Sequence, residues 1–180
     1  MRLLLHTCCA PCLIYPLEVL KNKGFEVAGF FYNPNIHLFS EYKKRKKAVD
    51  DFSKSANIEV SFPEYLPQEF FQAVNQKESS PERCSICWSL RLKKTAKAAK
   101  DKGFSHFSTT LLVSPYQDQE LLKKIGNAIA KEDGVEFYYE DFRPGFRKAH
   151  EQAHKQGIYC QKYCGCLYSE LEKCKKSVKQ

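Results

Sequence analysis

Short β-prone runs alternate with helical segments along this chain, and that alternation admits few folds. Leu3 to His6 reads as a buried strand, and a helix-compatible segment from Leu13 to Lys23 follows, ended by Gly24. Phe25 to Tyr32 is a second strand, stopped by Asn33-Pro34-Asn35. A charged helix from about Ser40 to Ala56 has Ser40 placed to cap it and Glu41 in its first turn. Ile58 to Phe62 is a third strand, and Pro67 to Asn75 is a helix. After a loop at Glu78 to Pro81, a long basic helix runs from Pro81 to about Lys102. Phe107 to Val113 and Val135 to Tyr139 are the remaining strands, with a helix from Gln117 to Lys131 between them. Helices at Phe146 to Gln156 and Leu167 to Lys176 follow. Strands separated by helices imply a three-layer α/β architecture. The expectation is a mainly parallel, Rossmann-like sheet of about five strands with helices on both faces. Ligands in such sheets bind beyond the carboxyl ends of the strands, so chemistry is expected just after each strand.

The stretch after the first strand is HTCCAPC, which puts Cys8, Cys9 and Cys12 at that edge. Packing alone seldom requires adjacent cysteines. RCSIC supplies Cys84 and Cys87, and two intervening residues let both sulfurs face one metal. Successive residues on a regular strand point to opposite faces. Cys8 and Cys9 therefore need a bent backbone to share a ligand, and Ala10-Pro11 is positioned to supply it. Four thiolates from CC and CxxC suit zinc or an iron–sulfur cluster, and ligand softness does not choose between them. Buried free thiols are the plainer alternative. YCQKYCGC adds Cys160, Cys164 and Cys166. One glycine between Cys164 and Cys166 permits a tight, easily reduced disulfide, as a two-electron shuttle requires. The competing reading gives Cys160, Cys164 and Cys166 to zinc with one further ligand. Cys174, in a lysine-rich tail, is taken as incidental.

What nine cysteines mean depends on the compartment. No signal-peptide pattern is visible, and no run approaches the roughly 20 apolar residues of a membrane span. A cytoplasmic location is the expectation, and a reducing environment favours metal binding or redox catalysis over a disulfide framework. No repeat or linker divides the sequence, so residues 1–180 are expected to form a single domain. The net charge of +8 points to a polyanionic partner, nucleic acid first. Basic residues concentrate in EYKKRKK, with Lys43, Lys44 and Arg45, and in LRLKKTAKAAK. In the second run Arg91 and Lys94 share a helical face with Cys87 and could hold phosphates near it. The first could equally be a solvated helix face.

Tyr32, Tyr42, Trp88 and Tyr116 are candidate stacking surfaces for an extruded base, or else core residues. His6 can support the cysteine turn from behind, donate a proton or simply pack in its strand. Asn33-Pro34-Asn35-Ile36-His37 and Ser114-Pro115-Tyr116-Gln117-Asp118 end strands on the same edge. Asp118 and Asp141 can each ligate a metal or cap a helix.

No GxGxxG follows the first strand and no GxxxxGK[ST] is present, so the usual nicotinamide, flavin and Walker-type sites are unsupported. ATP pyrophosphatases of similar topology carry an SGGxDS loop where HTCCAPC stands here, an exchange that favours electron chemistry over adenylylation. HTCCAPC, FYNPNIH with EYKKR, RCSICWSLRLKKTA, TTLLVSPYQD, YEDFR and YCQKYCGCLYS occur in that order from Leu3 to about Ser169. In these motifs the chain resembles the QueH-type epoxyqueuosine reductases. The resemblance implies reduction of epoxyqueuosine to queuosine at the tRNA wobble position, on a 4Fe–4S cluster and without cobalamin. It implies cluster ligation by Cys8, Cys9, Cys84 and Cys87, and a redox-active pair in Cys164 and Cys166. Cys12 and Cys160 are then left for a substrate-facing or second-metal role, Asp118 for an additional mononuclear iron alongside Cys12, and His6 or Asp118 for proton delivery. The anticodon stem-loop would lie across Lys43 to Lys47 and Arg91 to Lys100, and an unidentified electron donor would complete the cycle. A zinc-stapled RNA-binding module and an iron–sulfur electron carrier or thiol–disulfide reductase are the rival readings.

Overall fold

The computed structural model describes residues 1–178, the side chains of 176–178 aside. Its five strands are β1 (Arg2–His6), β2 (Glu26–Phe30), β3 (Val60–Ser61), β4 (His106–Thr109) and β5 (Glu136–Phe137). They form one parallel sheet in the order β3-β2-β1-β4-β5. β1 is central, and its Leu3, Leu4 and Leu5 are at most 1% exposed, as an apolar strand covered on both faces should be. The helices are α1 (Ala10–Asn22), α2 (Phe39–Ser55), α3 (Pro67–Val74), α4 (Glu82–Asp101), α5 (Gln119–Asp133), α6 (Phe146–Lys155) and α7 (Leu167–Val178). α1 packs on α2 and α6, while α4 packs on α3 and α5. The strand order reverses between β1 and β4, so the crevice beyond their carboxyl ends is the topological switch point.

β1 starts one residue earlier than expected, at Arg2, whereas the other four strands are shorter than the sequence suggests, for local reasons. β4 stops at Thr109 because the Thr109 hydroxyl oxygen accepts from the Leu111 N–H at 3.1 Å and starts a 3-10 turn, Thr110–Val113. The run Phe107 to Val113 is therefore strand and then turn. β3 and β5 are edge strands of two residues each, paired on one side only.

Helix α1 begins at Ala10, earlier than Leu13, because proline fits the first turn of a helix where its missing N–H is not needed. The backbone change between Cys9 and Ala10 is thus the start of a helix, and Cys12 lies inside it. Ser40 does not cap α2. Leu38 is the residue at the cap, its carbonyl accepting from the Tyr42 N–H at 3.1 Å, and Ser40 sits in the first turn. No helix among the described residues is long and apolar enough to cross a membrane.

Candidate metal centre

Beyond the end of β1 the Cys8, Cys9 and Cys12 sulfurs all lie within 4.8 Å of one another. β1 delivers Cys8 to the switch point, Cys9 occupies the position before α1, and the first turn of α1 swings Cys12 back towards both. Cys9 and Cys12 are buried and Cys8 is partly so. Thr110, just past β4, accepts from the Cys8 N–H at 3.1 Å, and its hydroxyl donates to the Cys8 sulfur at 3.3 Å. From the far end of the chain, the Gln161 amide donates to Cys9 at 3.0 Å and reaches Cys12 at 3.8 Å. Hydrogen bonds from Cys12, Cys9 and Thr110 hold the Cys8 thiol well below the usual thiol range. Burial pushes Cys9 up, and the hydrogen bonds with Cys8 and Cys9, followed by burial, push Cys12 up. Cys8 is thus the most acidic of the three thiols, and a soft metal binding them displaces the protons of all three.

The sequence expectation paired Cys8 and Cys9 with Cys84 and Cys87 and set Cys12 apart. The geometry puts Cys12 with the first two. Cys84 and Cys87 come from the first turns of α4, with Cys84 3.7 Å from the Ser80 hydroxyl. Cys87 packs instead with Phe70, Val74 and Cys166, and burial, against the pull of Arg91, pushes its thiol up to about 12. Cys164 is exposed and Cys166 buried, and both thiols are free, with the Ser169 N–H donating to Cys166 at 3.3 Å. Cys160 donates to the Ile158 carbonyl at 3.4 Å, and Cys174 is exposed on α7.

Two arginines expected on an RNA-binding surface are interior. Arg45 is 1% exposed. Its Nε pairs with Glu41 at 2.7 Å, and its two terminal nitrogens donate to the carbonyls of Cys164 at 2.9 Å and Tyr163 at 3.1 Å. It pins the CGC loop to α2. Gly165 within that loop has φ +147, and an added Cβ would lie 3.0 Å from the Asn35 side-chain nitrogen, so the close approach of the two loops needs glycine. Arg91 is also 1% exposed and donates from Nε to the Cys87 carbonyl at 3.2 Å, while Nη2 has no partner. The charge of Arg91 is felt chiefly by Cys87, Cys164, Cys8 and Cys166. An unpaired buried cation beside several thiols suits an anionic metal–thiolate group, so the donor set and the charge of the pocket fit such an occupant.

The remaining candidates fall into place around this centre. His6 is fully buried, its Nε2 donating to the Tyr32 carbonyl at 3.2 Å and its Nδ1 accepting from the Thr109 hydroxyl at 2.9 Å. Burial, then Arg91, pulls its pKa down to about 3, so the ring is neutral and fully engaged near pH 7. Asp118 caps α5 by accepting from the Leu121 N–H at 2.9 Å, and Asp141 accepts from Arg143. Lys94 lies 3.9 Å from Glu69 and over the Tyr32 ring. Tyr32, Tyr42 and Trp88 are core residues, whereas Tyr116 is 84% exposed. Tyr116 meets Phe146 edge-on at 6.0 Å, and Phe146 lies 4.4 Å from the ring of His150, whose buried Nε2 has no partner. Sequence reasoning missed both His150 and Gln161. The only signal for either was proximity to the cysteine motif in the case of Gln161.

Fold and site together define a doubly wound α/β protein with a thiol centre, able to hold a metal, at the switch point of its sheet. The family model described as epoxyqueuosine reductase QueH matches residues 3–172. Relatives named epoxyqueuosine reductase QueH include one from Dehalococcoides mccartyi, 38% identical over 96% of this chain and 94% of its own length. Another, from Thermotoga maritima, is 38% identical over 94% of this chain and 91% of its own. One from Staphylococcus aureus is 33% identical over 95% and 76% respectively. The chain belongs to the epoxyqueuosine reductase QueH family.

Proposed function

We propose that this chain reduces the epoxide of epoxyqueuosine to the cyclopentene of queuosine in tRNA, without cobalamin. The observation that carries the reading is the convergence of Cys8, Cys9 and Cys12 at the switch point, in a chain whose relatives bear that name. Cys8 and Cys9 with Cys84 and Cys87 are the proposed ligands of a 4Fe–4S cluster, and Cys12 either joins that set or serves an adjacent mononuclear iron. When bound, such a group supplies single electrons and a Lewis-acidic position for a developing alkoxide.

Removing the epoxide oxygen as water takes two electrons and two protons. Oxidation of the Cys164 and Cys166 thiols to a disulfide releases both, so the balance closes: epoxide and dithiol give alkene, water and disulfide. The pair then needs reduction by an external donor, and exposed Cys164 is the thiol such a donor would reach first. His6, neutral and with both nitrogens occupied, holds the end of β1 in place and is not the proton source.

The substrate RNA is proposed to lie along the groove between α2 and the segment after α6, lined by Lys43, Lys44, Lys47 and Tyr159. Two residues beyond Tyr159, Gln161 touches Cys9, so the segment that lines this groove also reaches the thiols. Tyr116 is the exposed ring on which an extruded base could stack. Lys43 and Lys44 lie over Phe39 and Tyr159. A Lys43→Glu, Lys44→Glu double variant is expected to bind tRNA more weakly and to lower the slope of log affinity against log salt by about 2. Filter binding between 50 and 300 mM salt measures this, and an unchanged slope would move the RNA elsewhere.

The reading as a whole is tested by anaerobic purification with iron and acid-labile sulfide quantified, followed by turnover of tRNA carrying epoxyqueuosine. Iron with sulfide and conversion to queuosine are expected. Zinc alone, without sulfide after anaerobic reconstitution and without turnover, would make the thiols structural.

A further inference from the structure

Three arginines among the described residues are buried, and two of them have a carboxylate partner, although Arg83 Nε, like Arg91 Nη2, has no hydrogen-bond partner. Arg45 holds Glu41 and two loop carbonyls, and Arg83, 2% exposed, holds Glu172 at 2.8 Å and the Glu78 carbonyl at 2.5 Å. Arg91, 1% exposed, has no carboxylate partner among the described residues. Its Nη2 has no hydrogen-bond partner of any kind. A guanidinium does not escape burial by losing its proton, so the sequence keeps a full positive charge in the interior. Such a charge is strongly unfavourable unless something answers it.

The placement of Arg91 says what answers it. Its helix carries Cys87 one turn earlier and Cys84 two turns earlier, and its Nε is tied to the Cys87 carbonyl. The other thiols that feel its charge are Cys164, Cys8 and Cys166, which come from two different loops, and the buried ring of His6 feels it too. Among the described residues Arg45 acts on Cys9 and Cys164, and Arg83 on Cys84 and Cys166, while Arg91 acts on thiols of all three elements: the N-terminal turn, the RCSIC helix and the CGC loop.

We propose that Arg91 is a positioning residue, the fixed counter-charge for a metal held by more thiolates than it has positive charges. The inference rests on the reading that these thiols hold a metal, and not on which metal it is. Net negative charge on the occupant compensates the guanidinium, and the guanidinium in turn favours the more negative, reduced state of a redox-active occupant. A neutral occupant would leave Arg91 as costly as it is without metal.

The test compares wild type, Arg91→Met and Arg91→Lys by thermal unfolding, each metal-free and zinc-loaded. Arg91→Met is expected to lose at least about half of the zinc-induced rise in Tm, because the methionine no longer rewards the bound form. Arg91→Lys, which keeps the charge, should retain most of that rise. Equal losses of Tm in the metal-free and loaded forms would assign Arg91 to packing and overturn the proposal. Failure of Arg91→Met to fold without metal would do the same. In protein reconstituted with iron and sulfide, the midpoint potential of Arg91→Met should fall below wild type while Arg91→Lys stays close to it. Equal potentials in all three would also overturn it. Wild-type protein whose Tm responds to neither zinc nor iron would refute the metal reading itself, and this inference with it.

Discussion

Replacing Cys12 with alanine is expected to remove bound metal and epoxyqueuosine turnover together, at least 100-fold in metal affinity on the order of the effects seen even for outer-sphere partners. Cys12 stands in the first turn of α1, and its sulfur lies within 4.8 Å of both Cys8 and Cys9. It also lowers the Cys8 pKa through hydrogen bonding, so its loss removes one ligand and weakens another. Metal quantification beside a turnover assay checks this, with Cys174→Ala as the control expected to lose neither. Full metal and full turnover in Cys12→Ala would restrict the centre to Cys8, Cys9 and the α4 cysteines.

Arg45→Met should be the most destabilising single change on α2, by about 3 to 5 kcal/mol, as expected when one member of a buried ion pair is removed. Glu41, only 12% exposed, would lose its charged partner and keep only the Tyr159 hydroxyl, and the carbonyls of Tyr163 and Cys164 would lose their donors. Arg45→Lys should recover only part of this, because an ammonium cannot span three acceptors in a planar fork. Urea unfolding gives the stability change. The alkylation rate of Cys164 should rise in the same variant as the loop detaches from α2. An unchanged urea midpoint would mean that the loop is held by its other contacts, such as the His37 N–H donating to the Gly165 carbonyl at 2.9 Å.

Much of this arrangement was legible in the sequence. Leu3-Leu4-Leu5 followed by cysteines identified both the central strand and the edge where a site should form, because a continuous apolar run fits a strand covered on both faces. The arginines were misread because positive charge in a lysine-rich helix was taken as surface charge. Helical spacing held the correction: Tyr42, Arg45, Val49 and Ser53 form one buried stripe on α2, and Cys87, Trp88, Arg91, Leu92 and Thr95 another on α4. Cys12 was set apart because the resemblance implied ligation by Cys8, Cys9, Cys84 and Cys87, and Ala10-Pro11 looked like a bend, although proline also suits a helix start that carries Cys12 back to its neighbours. The Gln161 contact with Cys9 joins residues 152 positions apart, and no local pattern reports such a pairing.

That separation has a consequence for how the protein is made. Cys8, Cys9 and Cys12 lie within one short segment and can meet as soon as β1 and α1 form, whereas Gln161, which covers them, is synthesised 152 residues after Cys9, just before the CGC loop. At roughly 5 to 20 residues per second, a nascent chain would present the bare thiols for about 8 to 30 seconds before Gln161 and the CGC loop could dock. Metal delivery during translation and oxidative damage to the unshielded cysteines would then compete within the same interval, on the ribosome, before the enzyme exists as a folded whole.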